Sequence, residues 1–258
     1  MDNNKLRCKP VCSFKLFTFG FIGFLLAQCF VSVVFATEIR LVLTHIPRVM
    51  EYGKPDAPYN RLIRELDRTL PIDFSVEFMP SSRANKLLNA KQIDCLFPII
   101  PLDDRATKTV LSAPVNGISA YLFSTHTEIY TDLSQLKGKM VVYLRGYLFG
   151  GLINEHPEIR FFAVSSQKAA LGMLEKNRAV AYLDYIPDIR YVFTKRQMAK
   201  LKYDASSPII RDFDRFECLD SPKSNEFLLR LNTSIKHLRE TGELEKILGS
   251  YYVNVELN

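Results

Sequence analysis

"SSRANKLLNAKQIDCLFPIIPLDDRATKTVLSAPV", residues 81 to 115, is the stretch on which the fold turns. Two serines open a segment whose spacing predicts a helix, and "IDCLFPII" follows as a short apolar strand. After it, a single arginine, Arg105, stands between that strand and a Ser-x-Pro turn. A guanidinium in this place has two uses. It pairs with Asp103 or Asp104 at the surface, or it anchors an anion inside a cleft.

Upstream, "EIRLVLTHIP" alternates as a strand and stops at Pro47, and "RLIRELDRTL" puts Leu62, Ile63, Leu66 and Leu70 on one helical face. "IDFSVEFMP" is a second strand, so the segments up to residue 100 run β-α-β-α-β. That order favours a mainly parallel sheet with helices on its faces. Downstream, "MVVYL", the turn "RGYLFGG" with a following helix, "IRFFAV", the helix "SSQKAALGMLEKNR" and the strand "AVAYLD" repeat it. Two α/β lobes are expected rather than one long sheet. Near the C-terminus, Phe227, Leu228, Leu231, Ile235 and Leu238 form one stripe, and Leu244, Ile247, Leu248 and Tyr251 another. Two such helices need an existing surface, and the expectation is that the chain returns to the first lobe near Phe216 to Leu219 and buries them there.

The N-terminus has the layout of an export signal. Lys5, Arg7, Lys9 and Lys15 precede an uncharged run from Phe17 to Phe35, and Val34-Phe35-Ala36 suits cleavage after Ala36. A retained membrane anchor is the alternative, because the run approaches the roughly 18 residues that span a bilayer. The leader holds four basic side chains and one acidic, so the remaining 222 residues carry a formal +3 against +6 for the whole chain of 258. No block of five lysines and arginines remains, and nucleic-acid binding is not expected. The four histidines are scattered singly and no C-x-x-C spacing exists, so neither a metal nor a cofactor is expected. Beyond the leader only Cys95 and Cys218 remain, and a disulfide and two buried thiols are both open.

Taken in order, "SSRANKLLNAKQIDCLFPIIPLDDRATKTVLSAPV", "LKGKMVVYLRG", "NRAVAYLD" and the closing "TGELEKILGSYY" resemble the extracellular solute-binding protein family 3. That class includes periplasmic amino-acid receptors of ABC importers. The resemblance implies a two-lobed type II periplasmic-binding-protein-like α/β fold with the ligand cleft between lobes. It also implies the division 1–36 signal peptide, 37–125 with 216–258 as the first lobe, and 126–215 as the second. A monomeric, non-enzymatic receptor in the periplasm is implied, binding a small anionic or zwitterionic solute, an amino acid or related carboxylate, and passing it to a membrane permease.

Residue by residue, the resemblance makes Arg105 the clamp for a carboxylate and Asp184 the acceptor for an ammonium. Asp188 is close by, and an acidic residue after a strand also serves as a helix cap. Arg83 matches an arginine at the start of the helix, while Tyr52 and Tyr147 stand where relatives place side chains against the ligand. Pro98 and Pro101 remove backbone donors ahead of Arg105, and Tyr147 replaces a small hydroxyl residue. An anion therefore follows more directly than an amino acid. A sensory module with a diverged cleft is the second reading, and a dehydratase-like enzyme on the same fold the third.

Overall fold

The structure is a computed structural model describing residues 38–101 and 106–255. The expected signal peptide, residues 1–36, and Arg105 lie outside the described residues. The described residues belong to one compact unit.

The chain opens with β1 (Ile39–Thr44), α1 (Pro58–Thr69), β2 (Phe74–Met79), α2 (Ser81–Asn89) and β3 (Cys95–Ile99), and β1 pairs in parallel with both β2 and β3. No serine caps α2. Its cap is Pro80, whose ring holds φ at -60° and feeds the chain straight into the helix at Ser81. Short β4 (Thr109–Leu111) then leads into β5 (Asn116–Phe123).

The second series is β6 (Met140–Leu144), α3 (Leu152–Glu155), β7 (Arg160–Val164), α4 (Gln167–Glu175), β8 (Ala181–Tyr185), α5 (Ile186–Val192) and α6 (Lys195–Met198). Here β6 pairs in parallel with β7 and β8, and Ser166 caps α4 by accepting from the Ala169 amide. The chain returns along β9 (Ile210–Leu219) and ends in α7 (Pro222–Glu240) and α8 (Glu243–Leu248).

The two halves are not separate sheets. The path β2-β1-β3-β9-β5-β8-β6-β7 is hydrogen-bonded throughout, with β4 also on β9. The cause is the ten-residue β9, which changes partners midway. Ile210 to Asp214 pair antiparallel with β5, and Arg215 to Leu219 pair with β3 and β4. Within that second stretch Cys95 lies opposite Cys218, and the two form a disulfide.

In the first half, α1, α7 and α8 cover one face of the sheet, with Leu62, Leu66, Phe227, Leu231, Ile235, Leu244 and Leu248 packed on Ile39, Leu41 and Leu43. Both C-terminal stripes are thus buried against the first half. Burying each such side chain contributes about 1.5–3 kcal/mol. The opposite face is closed by α2 through Ala84 and Leu88. In the second half α4 and α5 pack Leu171, Leu174 and Ile189 on Val142 and Tyr182, while Leu133, Leu136 and Phe149 close the other face.

Candidate functional site

A cleft with about 70 Å3 of free interior opens where the two halves face each other. The first half lines it with Thr44, Ser81, Pro98, Ile99 and Ile100, the second with Tyr147, Leu148, Phe149, Gly150, Tyr185 and Asp188. Asp214 of the shared strand β9 and Tyr251 after α8 complete the wall. The strand β3 delivers its carboxyl-terminal residues to this place, as open α/β sheets do for ligands.

The second-half wall comes from the "RGYLFGG" turn. Gly146, Gly150 and Gly151 all have positive φ, and a Cβ on Gly150 would stand 3.9 Å from Ile100 across the cleft. It is the positive φ, and not this ordinary contact distance, that calls for glycine in the turn. Behind the loop, Phe149 stacks on Tyr185 with ring centres 5.0 Å apart, and Tyr147 packs 5.8 Å from both. The result is an aromatic wall carrying hydroxyls.

Asp188, in the first turn of α5, is the centre of the polar part. Its two oxygens accept from Tyr147 of the second half and from the Tyr251 hydroxyl at 2.7 Å. Burial pushes its carboxyl up to about 6, against those two hydroxyl donors, which favour the charged form. Asp214 is buried too and accepts on Oδ2 from Tyr59. Burial lifts it to about 8, with the charges of Asp188 and Asp212 adding to the effect and the Tyr59 hydroxyl opposing it. The rings of Tyr59 and Tyr251 meet edge-on at 5.2 Å. At neutral pH these tyrosines are neutral donors, because burial raises each of them well above its ordinary value.

Of the residues singled out in the sequence, Tyr147 lines the cleft. Asp184 sits behind the lining on β8, wholly buried, where it accepts from the Tyr182 hydroxyl and from the Tyr185 amide at 2.8 Å. Burial first, and the charge of Asp188 second, raise its carboxyl well above the ordinary range. Arg83 is exposed on α2 and Tyr52 is 81% exposed against the edge of Phe78, and neither is among the lining residues. Among the lining residues, sequence reasoning did not assign Asp214, Tyr185 and Tyr251 to the site, and it met Asp188 only as a neighbour of Asp184 that could serve as a helix cap. Asp214 had a readable sign, an acidic residue inside "DFDRFEC" between two phenylalanines. Asp188 had another, a second acid four residues after Asp184.

Compared as a sequence, the chain matches no protein-family model and no curated protein. Compared as a structure, it is similar to the GluR0 ligand-binding core from Nostoc punctiforme in complex with L-glutamate, at TM-score 0.68 and 15% identity over 83% of this chain and 99% of that one. The fold is that of a two-lobed periplasmic binding protein. A histidine kinase sensor domain with similarity to periplasmic binding proteins shares it at TM-score 0.63 and 16% identity, over 83% and 96% of the two chains. So does a solute receptor for L-cysteine of Neisseria gonorrhoeae, at 0.59 and 14% over 81% and 87%. In this binding-protein fold the two halves of the sheet are the two lobes, and the cleft is the space between them. Such a cleft suits capture: it supplies an aromatic wall with a few fixed polar groups.

Proposed function

We propose that the chain is a receptor that captures a small amino-bearing solute, an amino acid or related carboxylate, between its lobes. The observation that carries this is Asp188 at the meeting of the two lobes, held by one tyrosine from each, in a cleft of the binding-protein fold. A carboxylate so placed accepts from an ammonium group, and the tyrosine rings cover its apolar part. Arg105, five residues after the lining residue Ile100, is the proposed partner for the solute's carboxylate. Tyr147 contacts the solute directly, Asp184 supports the wall from behind, and Arg83 and Tyr52 belong to the approaches of the first lobe. The lobes are 37–125 with 216–258, and 126–215. Residues 1–36 export the chain to the periplasm, where a monomer binds without turnover and passes its solute to the permease of an ABC-type importer. Likeness to a sensor domain supports a second reading, in which the closed form reports the solute to a signalling partner.

Thermal-shift screening against amino acids and small carboxylates, followed by calorimetric titration, tests the receptor. At least one solute is expected to bind. Arg105→Ala is expected to weaken a carboxylate-bearing solute by about tenfold or more, the loss of one charge-assisted pair. An unchanged affinity would remove Arg105 from the site.

A further inference from the structure

Resting on the receptor reading, we infer that the cleft selects solutes carrying a second cationic group, an ammonium or guanidinium seated at Asp214, over neutral and anionic ones. Two buried carboxyls, Asp188 and Asp214, line one small cleft, and among the described lining residues there is no lysine or arginine, His45 being the one side chain there that can take up a positive charge. Every hydrogen bond that these two carboxyls accept within the described residues comes from a tyrosine hydroxyl. Asp188 has both oxygens occupied in this way. Asp214 does not: Tyr59 donates to Oδ2, and Oδ1 accepts from no group among the described residues, although the residue lines the cleft and is only 6% exposed.

A carboxylate oxygen that opens into a narrow cleft without a protein donor is poorly solvated, and a mobile cation with its own hydrogens supplies the missing partner. The groups around Asp214 do not supply the cation. They include Tyr59 on α1, Asp188 on α5, Asp212 on the same strand, Tyr185 at the end of β8, Tyr251 and the cross-strand Asn116, all acidic or neutral. Tyrosine faces at the same wall favour an organic cation over a hydrated metal ion, because the ring attracts the charge while covering its carbon chain. A diamino or guanidino acid meets these features at once, with its first ammonium at Asp188 and its second cationic group at Asp214.

Titration calorimetry of the mature chain at pH 7 with L-lysine, L-arginine, L-norleucine and L-glutamate tests this, since norleucine keeps the lysine chain but lacks the terminal charge. Lysine or arginine is expected to bind at least about tenfold more tightly than norleucine and glutamate. Repeating the titration in two buffers of different ionisation enthalpy is expected to show proton release on binding, because a cation beside Asp214 lowers the affinity of its carboxyl for the proton. Asp214→Asn is expected to shrink the lysine-to-norleucine ratio to about threefold or less. Norleucine or glutamate binding as tightly as the cations would overturn the inference and leave the receptor intact. Failure of all four, together with a wider panel of neutral and acidic solutes, would overturn the receptor reading as well. The wild-type ratio decides the matter whether or not the variant folds.

Discussion

A carboxyl buried beside a tyrosine and two other carboxyls holds its proton late, and Asp214, lifted to about 8, makes stability depend on pH. Unfolded, the same group titrates near 3.9, so between about pH 4 and 8 the folded state binds more protons than the unfolded one. Its contribution is therefore favourable at low pH and is lost progressively as pH rises towards 8, at up to about 1.4 kcal/mol per pH unit. Asp188, lifted to about 6, adds the same sign over a narrower window. Melting temperatures measured from pH 5 to 8.5 are expected to fall more steeply for the wild type than for Asp214→Asn, in which Tyr59 can still donate to the amide oxygen. Parallel curves would show that Asp214 titrates in its ordinary range. Tyr251→Phe removes one of the two donors to Asp188. The expected cost is about 1.5–3 kcal/mol at pH 7, the range for a hydrogen bond to a charged group, measured by urea unfolding.

Elements with a clean period were readable, and those defined by distant partners were not. The stripes on α1 and α7 announce themselves because each has one buried face, and the run ending in Asp184 reads as a strand from its apolar residues alone. In contrast, "NGISAYLF" of β5 is buried on nearly every residue and shows no alternation. "IRDFDRFECL" of β9 mixes charges and aromatics because its two halves meet different neighbours. Those are the strands that join the lobes, so the grammar of two lobes was legible and their shared sheet was not. The same parity hid the site: Asp184 shares a face of β8 with Tyr182, and only the turn into α5 brings Asp188 round to the cleft. Two consequences belong to this scale. Leu231→Ala, at a wholly buried position of α7, is expected to cost about 2–5 kcal/mol in urea unfolding. Cys95 and Cys218 are 123 residues apart, and a loop of that order constrains the unfolded chain by about 4–5 kcal/mol. Reduction is expected to lower the melting temperature, and a matching loss in Cys95→Ala and Cys218→Ala would assign it to the bridge.

For the whole molecule, contacts between the lobes include the shared sheet through β5, β8 and β9, Tyr59 reaching Asp214, Tyr251 reaching Asp188, and Arg48 of the first lobe donating from Nη1 to the Val192 carbonyl at 3.3 Å at the end of α5. A solute favours the closed form only by contacts it makes there and not in the open form. Hydrogen exchange is accordingly expected to slow at residues 145–151 and 186–192 when a solute binds, and to change little in α7. The central claim is that solute is held between the lobes at Asp188. Its most direct test is the calorimetric affinity of the wild type and of Asp188→Asn for the same bound amino acid. A loss of about tenfold to a hundredfold is predicted, the worth of one charge-assisted contact. Equal affinities would place the solute elsewhere and contradict the account.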